Sequence, residues 1–311
     1  MLGILLALGF AAGFGANSIF SRRGVLRASA SYVANVSIFS GPVFFLLVTI
    51  LVGEIFRVGE FPWNSYAFFA MSGVVHFAFG RTFGYRSIEL IGVTRANIVT
   101  GLSAVVSVSM AMAFLQEVLT PLVAFGILLS ISGPLVVAFK EKTLITGVKE
   151  EGHPRGKYVD RRTLYRGMLY GAGSAIFWGS SPVLIKMGID AGGSSILGTL
   201  TAYTAASLVI SPTLLSARTR RELVTADRKA LQLALYSGFT TNISQMLRFL
   251  ALGYGSVIMV AVMQRTIPIW TLIMSFLFNR KLESFGFWVL VGNALLLVGT
   301  LLVIIEQIWR L

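Results

Sequence analysis

The sequence predicts an all-α membrane protein with ten transmembrane helices in two inverted five-helix repeats. Three observations lead to this fold class: the apolar composition, the number of long apolar stretches, and a pattern that occurs twice. Of the 311 residues, 55% are hydrophobic and only 13% are charged, whereas a soluble protein carries roughly a quarter charged residues. The core of a soluble domain would not accommodate apolar runs this long and this frequent.

Ten stretches are long enough to cross roughly 30 Å of hydrocarbon, which takes about 20 residues each. We place the spans at residues 2–20, 29–53, 64–86, 92–115, 118–139, 166–187, 194–217, 230–252, 256–278 and 284–306. The first span is interpreted as a retained helix and not as a signal peptide. Its positive residues Arg22, Arg23 and Arg27 follow the apolar run, whereas those of a signal peptide precede it.

One long polar stretch separates spans five and six. It contains many charged residues and several glycines, as a linker does. We therefore divide the chain into a first repeat at residues 1–139, a cytoplasmic linker at 140–165 and a second repeat at 166–311.

The distribution of Lys and Arg predicts the orientation of these spans. When residues at the ends of the spans are counted with the adjoining loops, the loops that follow odd-numbered spans hold 19 of these residues, and the opposite loops and the termini hold 3. Positive residues stay in the cytoplasm, so both termini are expected outside it, in a multi-pass plasma (inner) membrane protein. The same loops account for the net charge of +13, without a nucleic-acid partner. Because each half has an odd number of spans, the second half enters the membrane inverted.

Several motifs recur between the halves. Each half has a polar turn followed by an apolar run with two glycines seven residues apart, hence on one helix face. The first copy has Gln116-Glu117-Val118-Leu119 with Gly126 and Gly133, and the second has Asn279-Arg280-Lys281-Leu282-Glu283 with Gly292 and Gly299. A second repeated pattern aligns Gly15 through Arg22 with Gly179 through Lys186.

The order and duplication of these motifs resemble the EamA family of the drug/metabolite transporter superfamily. Trp178-Gly179-Ser180-Ser181, Lys186 and the turn at residues 116–119 carry the resemblance. One departure is Arg280, which stands where the family often has the acid that Glu117 supplies. The resemblance implies a central cavity lined by spans three, four, eight and nine, with spans one and six moving around it. Members move several kinds of substrate, so the resemblance names none.

Arg265 is the principal candidate for a substrate contact. It lies near the middle of span nine between Gln264 and Thr266, and Pro268 follows. Proline removes a helical hydrogen bond, and polar residues beside a helix break at the membrane midplane indicate a transporter site. The alternative is a structural arginine that caps carbonyl groups of a neighbouring helix.

Other ionisable residues within spans also need an explanation, because burying them in a membrane costs free energy. Arg248 shares a helix face with Gln245, and Asn242 lies in the same span. His76 is near the middle of span three and is either a packing residue, a substrate contact or a proton relay. Arg81 lies within two turns of the cytoplasmic end of that span, so a substrate contact and contact with the lipid surface both remain open for it.

Four further polar or aromatic residues are weaker candidates for the cavity: Asn17, Asn97, Trp178 and Ser181. The alternative for Asn17, Asn97 and Ser181 is hydrogen bonding between helices. For Trp178 it is a packing or interfacial role.

No Asp or Glu lies near the middle of any span, and the chain has no cysteine. A buried carboxylate for a proton-coupled cation exporter is therefore missing, as are the groups of an intramembrane enzyme and a thiolate metal site. Because arginine binds carboxylates and phosphates in bidentate fashion, the sequence predicts a secondary transporter of a small anionic or zwitterionic metabolite. Such a substrate is an amino acid, an organic acid or a phosphorylated compound. The alternative is an exporter of hydrophobic drugs or amphiphiles. We expect no cofactor, the lipid bilayer as a partner, and a monomer or homodimer.

Overall fold

The computed structural model describes residues 1–91, 96, 99–144, 161–216, 219, 221–222, 225–278 and 287–309. Most of the predicted linker and the whole second polar turn lie outside these residues. The described residues form helices and the turns that connect them. The main α-helices are α1 Leu2–Val25, α2 Ala30–Leu51, α3 Trp63–Gly73, α4 Arg81–Ile91, α5 Ser103–Leu115, α6 Pro121–Leu144, α7 Arg161–Asp190, α8 Ser195–Ile210, α9 Arg228–Tyr254, α10 Val257–Gln264, α11 Ile267–Phe278 and α12 Phe287–Trp309.

Five helical segments among the described residues are long and apolar enough to cross a membrane by length and composition. They are Leu2–Val25, Ser31–Leu51, Arg161–Asp190, Ser195–Leu215 and Val257–Phe278. Three shorter apolar helices lie at Val99–Leu115, Pro121–Gly133 and Leu290–Glu306. Helices thus occur in each predicted span, while the count of ten membrane crossings stays a prediction.

Equivalent helices of the two halves make equivalent contacts, each with helices of the other half. In the first half α1 packs on α9 and α11 of the second half, and α7 of the second half packs on α3, α4 and α5 of the first. Likewise α2 contacts α9, and α8 contacts α3. Two further contacts, α2 with α8 and α6 with α12, each join equivalent helices. Each half therefore buries its apolar helix faces largely against the other half.

The glycine pairs that recur in the sequence face each other across the α6–α12 contact. A Cβ atom added to Gly126 would lie 2.7 Å from the carbonyl oxygen of Gly299, and one added to Gly133 would lie 2.3 Å from that of Gly292. The pairing connects the first glycine of one copy to the second of the other, so the two helices run antiparallel. Glycine at both crossings allows the backbones to approach closely.

Among the described residues, the predicted spans three, four and nine are interrupted within their length. Span three contains a π-helical segment, Val74–Gly80, between α3 and α4. Span four has a turn at Leu102, whose amide donates to the carbonyl of Val99 before α5 begins. In span nine α10 ends at Gln264 and α11 begins at Ile267, which is the disturbance that Pro268 predicts.

The interruptions in spans four and nine occupy equivalent positions of the two repeats. Leu102 lies fourteen residues before Gln116, and Arg265 lies fourteen residues before Asn279, at the starts of the two polar turns. At both positions the backbone amide bonds to the carbonyl three residues earlier, which tightens the last helical turn. The duplicated pattern therefore includes a duplicated helix break.

The broken ninth span is held in place by a residue of the first half. The carboxylate of Glu117 accepts hydrogen bonds from the backbone amides of Val257, at 2.6 Å, and Ile258, at 2.9 Å. The Ser256 hydroxyl accepts from the amide of Met259 at 3.1 Å. A carboxylate stabilises the positive end of a helix dipole, so Glu117 anchors the N-terminus of α10 and positions the break at its other end.

Candidate functional site

Arg265 connects the two helix breaks. Its Nη1 donates to the carbonyl oxygen of Gly101 at 3.1 Å, and its Nη2 donates to Oγ of Ser103 at 3.2 Å. These two residues flank Leu102, where span four is interrupted. The side chain is partly buried, and its Nε is enclosed without a hydrogen-bond partner. In this conformation the guanidinium caps a carbonyl of the neighbouring helix, which was the alternative to a substrate contact.

The two polar neighbours of Arg265 differ in their environment. Thr266 is 4% exposed, and its hydroxyl donates to the carbonyl of Met263 at 2.7 Å, so it stabilises the end of α10. Gln264 is partly buried. Its amide has no hydrogen bond among the described residues and is not among the enclosed polar atoms without a partner.

Arg248 forms the second cluster, at the contact of α9 with α7 and the π-helical segment. Its side chain is 1% exposed. Nη1 donates to Oε1 of Gln245 at 3.3 Å and lies 3.5 Å from Nδ1 of His76, and Nη2 donates to Oγ of Ser181 at 3.3 Å. The guanidinium also lies over the ring of Phe10, 6.0 Å from its centroid. Four of the predicted candidates thus lie together.

Trp178 completes this cluster from α7. Its Nε1 donates to the backbone carbonyl of His76 at 3.1 Å, and the two rings lie 6.3 Å apart between centroids. Trp178 packs against Gly80 and Gly84, where an added Cβ would lie 2.5 Å and 3.0 Å from the indole. The small residues of span three therefore accommodate the tryptophan, which in turn holds the π-helical segment.

Arg81 and the asparagines have other partners. Nη1 of Arg81 donates to the carbonyl of Ala34 at 3.3 Å, and its guanidinium lies 5.9 Å from the centroid of Tyr85. Asn242 is 1% exposed and donates to Oγ of Ser40 at 3.3 Å, while its Oδ1 is enclosed without a partner. Asn97 lies outside the described residues.

Asn17 belongs to a network of hydroxyl groups between α1 and α9. Its Oδ1 accepts from Oγ of Ser237 at 2.7 Å and from Oγ of Ser21 at 3.1 Å. These two donors match the two lone pairs of an amide oxygen. This arrangement matches the alternative of hydrogen bonding between helices.

Carboxylates are absent from both arginine clusters, as far as the described residues extend. Acids near the ends of the predicted spans have partners there: Glu89 pairs with Arg86 at 2.7 Å, Asp190 pairs with Lys186 at 3.0 Å, and Glu306 accepts from Thr120 at 2.6 Å. The described residues also contain no group of His, Asp and Glu that could hold a metal ion. Arg248 and Arg265 are therefore two cations whose described contacts are all neutral.

Three contact residues were missed from the sequence: Phe10 beneath Arg248, and Gly101 and Ser103 beside Arg265. Phe10 carries no signal, since it is one apolar residue among many in span one. Gly101 and Ser103 do have a sequence signal, because aligning the two polar turns places Leu102, which lies between them, opposite Arg265. Residues on either side of an equivalent helix break are natural candidates for contact with it.

Comparisons with known proteins agree with this architecture. The model of the EamA-like transporter family matches residues 1–139 and 165–305. A solved structure entitled "Crystal structure of protein" superposes with a TM-score of 0.71, covering 95% of this chain and 94% of that chain at 13% identity. At this identity the likeness shows the fold alone. No curated protein matches the sequence.

Proposed function

Because the chain belongs to the EamA-like transporter family and is thus a membrane transporter, we propose that it moves a small anionic or zwitterionic metabolite by alternating access. The substrate is an amino acid, an organic acid or a phosphorylated compound. Its ten proposed transmembrane spans form two inverted five-helix repeats, residues 1–139 and 166–311, around a central cavity in the plasma membrane. The linker at residues 140–165 is cytoplasmic, and both termini are extracytoplasmic.

The proposed substrate class rests on two arginines that have no described counter-charge. Two arginines, Arg248 and Arg265, lie within spans eight and nine, and their described partners are a carbonyl, two hydroxyls, an amide oxygen and an imidazole. A buried cation without a counter-charge is costly. A carboxylate or phosphate on the substrate supplies the missing charge, whereas a cationic substrate would add to the repulsion.

Arg265 is proposed as the principal anchor. It lies where spans four and nine are both interrupted, and discontinuous helices at the membrane midplane form the substrate sites of many secondary transporters. Its hydrogen bonds to Gly101 and Ser103 involve neutral acceptors, and charged acceptors compete well with neutral ones. Gln264, with an accessible amide, adds a neutral donor or acceptor beside it.

A second candidate function is an exporter of hydrophobic drugs or amphiphiles. The contacts of Arg265 favour it, because a guanidinium that caps Gly101 and Ser103 is occupied without a substrate. In that case both arginines are structural, and the substrate would bind apolar and aromatic surface.

Substrate competition separates the two functions. Purified protein in liposomes would first be screened by thermal unfolding with L-serine, succinate, glycerol 3-phosphate and tetraethylammonium, since a ligand that binds the folded state raises its stability. Uptake of the most stabilising compound would then be measured in competition with the others. The proposal expects stabilisation and competition by carboxylates or phosphates and none by tetraethylammonium. Saturable transport of the quaternary ammonium ion without competition by any anion would establish the second function instead.

A further inference from the structure

His76 and Arg248 differ in access, although they contact each other. Arg248 is 1% exposed, so a ligand does not reach its guanidinium in this conformation. His76 is partly exposed. Its Nε2 has no hydrogen bond among the described residues and is not among the enclosed polar atoms without a partner. The imidazole therefore turns one nitrogen toward Arg248 and leaves the other accessible.

The contact decides which nitrogen carries the proton. A guanidinium has five N–H donors and no acceptor, so Nδ1 of His76 accepts the hydrogen bond from Nη1 of Arg248 at 3.5 Å. The other N–H of Nη1 points to Gln245 at 3.3 Å. A neutral imidazole that accepts at Nδ1 has its proton on Nε2, which makes Nε2 a donor.

We infer that His76 presents this Nε2–H to a carboxylate or phosphate oxygen of the substrate, and that Arg248 is a positioning residue that fixes the tautomer. The inference rests on the proposed function and deepens it, because Arg248 then contacts His76 behind the binding surface and does not contact the substrate itself. The site then offers an anion one accessible neutral donor at His76 besides the charged anchor at Arg265.

Backbone and charge around the ring support this arrangement. His76 lies in the π-helical segment Val74–Gly80, and such segments often occur at functional sites. The backbone carbonyl of His76 accepts a hydrogen bond from Nε1 of Trp178 at 3.1 Å, and Nδ1 of the ring contacts Arg248, so both the backbone and the ring of this residue are held. The cation in contact with the imidazole is Arg248. A protonated, doubly donating ring would present an N–H to a guanidinium, which has no acceptor.

The tautomer is measurable without a substrate. The chain has two histidines, His76 and His153, so a H153Q background with ¹⁵N-labelled histidine reports on His76 alone. Nitrogen–proton correlation spectra distinguish the two neutral tautomers. We expect only the Nε2–H form in this background and in R248K, since lysine also donates and cannot accept. R248Q should show a mixture, because its amide both donates and accepts. A protonated ring or the Nδ1–H form with Arg248 present would overturn the inference.

Two substitutions of the histidine test the substrate contact. The amide nitrogen of glutamine reaches approximately the place of Nε2, whereas asparagine reaches only the place of Nδ1. H76Q should therefore keep most of the apparent affinity for the anionic compound identified above. H76N still supplies an acceptor for Arg248 but should lose about tenfold to a hundredfold, as for a hydrogen bond to a charged group. Equal affinities of the two variants, or a better H76N, would contradict the contact.

The two proposals fail in different ways. If no carboxylate or phosphate binds the wild-type protein, the proposed function fails while the tautomer is still measured. If anions bind and compete but H76Q and H76N behave alike, the function stands and the inference is wrong. Thermal unfolding and monodispersity of each variant, measured beforehand, show that the comparison is made between folded proteins.

Discussion

Replacing Arg265 discriminates most directly between a substrate anchor and a structural arginine. R265Q removes a cation that donates two hydrogen bonds, to Gly101 and to Ser103. A hydrogen bond between neutral groups contributes about 0.5–1.5 kcal/mol, and one that involves a charged group about 1.5–3 kcal/mol. The variant also relieves the desolvation cost of a cation without a described counter-charge. We therefore expect R265Q to lose little stability and to remain folded.

Its effect on binding should be much larger. Loss of a charged, bidentate contact with the substrate corresponds to about tenfold to a hundredfold weaker apparent affinity, since about 1.4 kcal/mol is tenfold. R265K keeps the charge but loses the planar fork, so its affinity should fall between those of the wild type and R265Q. Uptake into liposomes, measured as a function of substrate concentration, gives these affinities.

The matched control is S103A, which removes only the hydroxyl that Nη2 contacts. If Arg265 binds the substrate, S103A should transport nearly normally, because it leaves the guanidinium in place. A purely structural arginine predicts the reverse order: R265Q loses stability, and its affinity and rate stay those of the wild type. That result in a folded R265Q would refute the anchor and move the site elsewhere.

Three further predictions concern topology and packing. A reporter fused after Leu311 should behave as exported, given the charge bias of the loops; cytoplasmic activity there would show that the orientation is wrong. G133A should destabilise the α6–α12 contact by about 1–3 kcal/mol, because the new methyl group would lie 2.3 Å from the Gly292 carbonyl oxygen. The control is G59A, whose new methyl group would have no atom within 4 Å and should leave the unfolding temperature unchanged. E117Q should lower the unfolding temperature through loss of a charged cap on α10, an effect of about 0.5–2 kcal/mol; an unchanged temperature would mean that the contact contributes nothing.

The periodicity and composition of the sequence were sufficient to predict where the helices lie, which family the chain belongs to and where one helix is interrupted. Apolar runs of membrane-spanning length have few ways to satisfy their backbone except as helices, so the positions of the helices follow from the chain alone. The same holds for the family, whose motifs are local, and for the break beside Pro268, since proline acts on its own helix. The seven-residue spacing of Gly126 and Gly133 likewise indicated one helix face before its partner was known.

The partners of these residues depend on contacts between distant parts of the chain. No sequence pattern shows that Arg248 is enclosed while His76 is accessible, because that difference arises where α7, α9 and the π-helical segment meet. Nor does one show that Glu117 caps a helix of the other half or that Arg265 reaches the break in span four. Local sequence determines which groups are present and on which helix face they lie, whereas the packing of one half against the other decides which groups meet.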